Sequence, residues 1–131
     1  MLKVAERAFC QVNHFHNDFN YITMLVDFFD SEYVSQHYSL QDETYTIHLL
    51  LWNNKPAKIV FWGVIGFYFF PIANPIGLRC EISPSQFFCD MLSFEFETIP
   101  NQHEYKCYEI LNVDEAPLIK VVSQGYNYIV E

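Results

Sequence analysis

Residues 44–70 read TYTIHLLLW (44–52), NNKPAK (53–58) and IVFWGVIGFYFF (59–70), and the fold turns on them. Val, Ile, Thr and the aromatics fit a pleated surface better than a helix, because branching or a ring crowds the preceding helical turn. Thr44–Trp52 starts with strict alternation: Tyr45, Ile47, Leu49 and Leu51 share one face, and Thr44, Thr46 and His48 the other. Leu50 and Trp52 break that pattern, so this end of the strand is expected to be covered on both faces. Asn53-Asn54 tolerates a turn conformation and Pro56 limits onward pairing. Ile59–Phe70 then returns as a long apolar strand. Gly63 and Gly66 interrupt it, which predicts a bulge or sharp bend. Phe61 and Trp62 are expected to be largely buried or packed under a helix or a second layer.

A membrane helix competes for the same residues. From Ile59 to Leu78 the chain carries no charge over a length that would span a bilayer. Pro71, Pro75 and Gly77 break its second half, so the sequence predicts buried sheet core and no membrane partner.

Working outward, residues 19–29 lean toward a strand, and 33–41 are polar and contain Tyr33 and Tyr38. Residues 71–78 read as a loop. Ser83-Pro84 is a helix start, with Ser as N-cap and Pro in the first turn, and the helix is expected to reach about Met91. Leu92–Ile99 then reads as a strand with Phe94 and Phe96 on one face and Glu95 and Glu97 on the other. Further strands are expected over Tyr105–Val113, Leu118–Ser123 and Tyr126–Val130, with turns at 114–117 and Gly125. The fold class that follows is α+β, mainly β. It is a single domain of 131 residues built on an antiparallel, strongly bent sheet of about seven strands, with one or two short helices.

Composition narrows the function. The chain is 51% hydrophobic and 18% aromatic, and 7 Lys and Arg stand against 16 Asp and Glu for a net charge of -9. Phosphate neutralisation needs basic residues, so nucleic acid is excluded as a partner class. The same field favours a basic protein partner. Glu6 and Arg7 interrupt the stretch a signal peptide would need, which points to the cytoplasm. Cys10, Cys80, Cys89 and Cys107 are then expected as free thiols, with no zinc or redox spacing. His14 and His16 share a side if extended, but a metal site needs more ligands, and neither metal nor cofactor is expected. No hydrolase, nucleotide or metalloprotease motif occurs, and the Glu95/Glu97 pair reads as a solvated stripe rather than an acid–base pair.

Residues 15–70 carry His16 and Asp18 ahead of a strand, a long strand, a short polar turn, and an F-x-x-V-like return over Phe61–Val64. In this the chain resembles small acidic bacterial β-rich domains, several of them classed as immunity proteins of polymorphic-toxin systems or uncharacterised. Asn17, between His16 and Asp18, departs from the pattern. The resemblance implies a non-enzymatic protein that binds and blocks one toxin. The partner-facing residues expected on an acidic surface are Asp27, Asp30, Glu32, Asp42, Glu43, Glu95 and Glu97; homo-oligomerisation is left open. The alternative is a small-molecule-binding domain or small enzyme with an aromatic-lined pocket in the bent sheet.

Overall fold

The computed structural model describes residues 24–70 and 74–131. The readings of residues 1–23, including the His14/His16 pair and Cys10, lie outside the described residues. Among the described residues, nine strands and one helix follow in order: β1 (Val26–Asp27), β2 (Glu32–Ser39), β3 (Thr44–Leu50), β4 (Pro56–Trp62), β5 (Gly66–Phe69), β6 (Gly77–Cys80), α1 (Gln86–Glu95), β7 (Lys106–Leu111), β8 (Pro117–Ser123) and β9 (Gly125–Val130). They form two antiparallel sheets, ordered β1-β6-β7-β8-β5 and β2-β3-β4-β9.

The expected single, strongly bent sheet is therefore corrected to two sheets, neither of them strongly curled. The reason lies at Gly63. Its φ of 64° is a left-handed conformation that costs an ordinary residue about 1–2 kcal/mol. There the long apolar run leaves β4 and enters the other sheet as β5. The paired segment of the same chain crosses beside it, from β8 to β9 through Gln124 alone. Trp62 stands opposite Gly125 on one side of this corner, and Gly66 opposite Val122 on the other. Backbone bonds from Gln124 N–H to the Trp62 carbonyl (3.0 Å) and from Ile65 N–H to the Val122 carbonyl (3.0 Å) carry the ladder across it.

The two sheets share one core. Tyr45, Ile47, Leu49, Ile59 and Phe61 from the four-stranded sheet pack with Leu78, Tyr108, Ile110, Ile119 and Val121 from the five-stranded one. Rings fill the interior: Tyr45 stacks on Phe67 at 4.2 Å between centroids, and Phe61 meets Tyr108 at 5.7 Å. The Tyr45 hydroxyl donates to Gln36 Oε1, so this buried phenol keeps its hydrogen bond. The alternation in β3 is as expected, but Trp52, read as covered, is 75% exposed in the turn after β3. Phe61 is buried. Trp62 is not: it lies on the outer face of β4, 43% exposed.

The outer face of the five-stranded sheet is covered at one end by α1. Phe88, Cys89 and Leu92, at helical spacing, pack on Cys107 and Val122. The strand expected over Leu92–Ile99 is corrected accordingly. The helix continues to Glu95, and Phe96 closes it by donating its N–H to the Leu92 carbonyl. Phe94 is 84% exposed, so it shares no buried face with Phe96. The N-cap is Ser85 rather than Ser83, its hydroxyl accepting from Phe88 N–H at 3.2 Å.

Candidate functional site

The densest chemistry lies on the outer face of the five-stranded sheet, beside the N-terminus of α1. Strand register sets Arg79, Glu109, Lys120 and Tyr68 in one row across β6, β7, β8 and β5. Glu81, just past β6, belongs to the next row on the same face. Arg79 Nε lies 3.0 Å from Glu109 Oε1, and Lys120 Nζ lies 2.7 Å from Glu81 Oε2 and 3.3 Å from Glu109 Oε2. Both carboxylate side chains are only 4% exposed. Glu81 also accepts the Ser85 backbone N–H at 2.6 Å, which ties the helix start to the sheet. Its other oxygen accepts from the Cys107 thiol at 3.5 Å.

Two cations answer two carboxylates, so the cluster is formally neutral. Burial pulls the Lys120 ammonium down, but the hydrogen bond and charge of Glu81 and the charge of Glu109 outweigh it and push it up to about 12. Burial, reinforced by the Glu81 charge, pushes the Cys107 thiol far up. A lysine held charged and a thiol held protonated are both poor nucleophiles at neutral pH. The cluster is built to hold α1 on the sheet, not to attack a substrate.

The sequence-predicted acids divide between the two ends of the sandwich. Asp27, Asp30 and Glu32 lie at one end, where Asp27 Oδ1 accepts the Phe29 N–H at 3.0 Å and Asp30 takes a φ of 63° in the turn before β2. Asp42 and Glu43 lie at the other, in the β2–β3 turn, roughly 23 Å away along eight residues of strand. The Ser39 hydroxyl donates to Asp42 Oδ2 at 3.2 Å, and Glu43 sits at φ 54°. Glu95 joins this second group from the end of α1. The Tyr105 hydroxyl donates to Glu95 Oε2 at 3.3 Å. Burial, and then the charges of Glu95 and Glu43, raise this phenol against the lowering by a Gln124 hydrogen bond. Glu97 is exposed just beyond the helix. Glu95 and Glu97 do not form a strand stripe, because they lie on either side of a helix end.

At the first end, the turn before β2 forms one wall of an open cleft of about 260 Å³. Phe29, Asp30, Ser31 and Glu32 face Asn74, Ile76 and Val113 across it. Ser31 is buried and donates its hydroxyl to the Pro75 carbonyl at 2.9 Å, which fixes the floor. Cys80, Cys89 and Cys107 are free thiols. Among the described residues no group of three or more His, Cys, Asp or Glu is placed to hold a metal ion, and no helix is long and apolar enough to cross a membrane.

Sequence reading passed over the buried cluster entirely. Its signal was present: Arg79 in GLRC, Glu109 in KCYEIL and Lys120 in PLIKVVS are charged residues set among apolar neighbours in three strands. Charges placed so must find partners, since an unpaired buried ion is costly. No family model matches the chain, and no match is found among curated proteins or solved structures.

Proposed function

We propose that this chain is a non-enzymatic binding protein for a basic protein partner. One observation carries the reading. The buried cluster takes up Arg79 and Lys120 against Glu81 and Glu109, so the whole net charge of -9 falls outside it. Lys3 and Arg7 formally balance Glu6 and Asp18 in residues 1–23. Among the described residues only Lys55, Lys58 and Lys106 then oppose the remaining acids. A field of one sign over both ends of a small domain raises the rate at which an oppositely charged protein arrives.

The resemblance of residues 15–70 to immunity proteins supplies the biological class, with a basic toxin as the partner and blockade as the outcome. The ring-filled space between the sheets favours this over a ligand pocket there, since Tyr45, Phe61, Phe67 and Tyr108 occupy it. The test is capture with the tagged full-length chain from the source cell's lysate, followed by mass spectrometry and kinetics on the purified pair. A basic partner whose association slows steeply with salt is the expected result. A partner of acidic character, or a salt-independent rate, rules the proposal out.

A further inference from the structure

The cleft beside the turn before β2 has the chemistry of a receptor for one cationic side chain. Two acidic residues, Asp30 and Glu32, line it. Two of its walls are large apolar side chains left open to solvent, Phe29 at 59% and Val113 at 60% exposure. Its volume of about 260 Å³ lies under the range of roughly 300–1,000 Å³ usual for small-molecule sites. A single inserted side chain fits a volume of this size.

The turn that presents Asp30 is fixed from both sides. Phe28 is buried in the shared core and donates its N–H to the Ile76 carbonyl at 3.0 Å, and Ser31 N–H closes the turn on the Phe28 carbonyl at 3.2 Å. Asp30 itself stands at φ 63°, where aspartate and asparagine are tolerated better than most side chains. Asp30 is thus held on a turn fixed by backbone bonds, between exposed Phe29 and buried Ser31.

The geometry points to a docking site for an arginine side chain of the basic partner, with Asp30 and Glu32 meeting the guanidinium and Phe29 meeting its face. Guanidinium suits the site better than ammonium. It is planar, more weakly hydrated, pairs with carboxylates in a fork and stacks on aromatic rings. This inference rests on the proposed function and locates one contact within it.

The test uses L-argininamide as the probe and its neutral isostere citrullinamide as control, read by amide shifts in 15N-labelled full-length protein. Argininamide should shift the amides of residues 29–32, Ile76 and Val113, and citrullinamide should not. In Asp30→Asn/Glu32→Gln the affinity should fall about tenfold or more, since both charge-assisted hydrogen bonds lose their charged acceptor. Asparagine keeps the left-handed conformation, and an unchanged thermal melt for the double variant shows that folding is intact. Equal shifts from both probes, first shifts at Asp42, Glu43 or Glu95 instead, or wild-type affinity in the double variant each overturn the assignment. Captured-partner kinetics separate the two readings. Salt-dependent association with no argininamide binding removes the cleft and leaves the binding function standing, whereas salt-independent association removes the function.

Discussion

Replacing Lys120 by Met tests what holds the helix to the sheet. The side chain is 12% exposed and contacts two carboxylates, Glu81 at 2.7 Å and Glu109 at 3.3 Å. Methionine keeps most of the volume and removes the charge. Glu109 then retains Arg79, but Glu81 is left with only the Ser85 N–H and the Cys107 thiol. Breaking one partner out of a buried pair costs about 3–5 kcal/mol, because the other charge stays desolvated. Slight solvent access to Lys120 places this case near the lower figure, about 3 kcal/mol. That is a large share of the roughly 5–15 kcal/mol that holds a domain together. Urea unfolding followed by circular dichroism should show the midpoint falling with the slope unchanged. Adding Glu81→Gln removes the orphaned charge and keeps an acceptor for Ser85 N–H, so the double variant should be more stable than Lys120→Met alone. A loss under about 1 kcal/mol, or a double variant in which the two losses simply add, would refute the reasoning.

Three further outcomes follow from the same geometry. Stability should be lost in alkali: burial holds Cys107, Tyr45 and Tyr108 protonated, Tyr108 up to about 12, and Lys120 is likewise up at about 12. Each folded value lies above its unfolded one, near 9.0 for thiol, 10.0 for phenol and 10.5 for lysine. Their contribution is therefore complete below pH 9 and falls as pH rises toward 12, which unfolding free energies measured from pH 7 to 11 will check. Phe61→Ala should cost about 3–5 kcal/mol, and Trp62→Ala clearly less, since Phe61 is wholly buried and Trp62 is 43% exposed; denaturant melts of the two variants compare them. Gly63→Ala should cost at least about 1–2 kcal/mol, because φ is 64° and a methyl would stand 2.8 Å from the Gln124 side chain; a thermal melt at matched concentration measures it.

Much of this fold was legible in the sequence, and the reasons are local. In β3, β8 and β9 the residue types and bounding turns fixed the strands to within a residue or two, and β7 lay inside its wider expected span. The Asn53-Asn54 turn was equally readable, with Asn54 at φ 63°. Gly63 and Gly66 announced a bend, but sequence carries no sign of whether a bent strand stays in its sheet or changes sheets; tertiary packing decides that. β2 escaped because it is an edge strand whose register shifts between Tyr33 and Ser35 and whose residue opposite buried Ile47 is the polar Gln36, so its apolar residues show no clean alternation. Leu92–Ile99 misled because Phe94 and Phe96 alternate as in a strand, while Phe88, Cys89 and Leu92 set a helical period that runs through the same residues. The acids at 27, 30, 32, 42, 43, 95 and 97 were visible as charges. Their division between two ends of the sandwich depends on topology and was not.

If surface carboxylates draw in a basic protein, ionic strength must govern the association rate of the captured partner. Wild type should associate fast at low salt and slow steeply as salt rises, since rim charges act mainly on encounter. The double reversal Glu95→Lys/Glu97→Lys should slow association and flatten that dependence. Its stability should hold or rise slightly, because a cation in the last turn of α1 suits the helix dipole. A rate indifferent both to salt and to the double reversal would mean that these carboxylates do not draw a basic protein in.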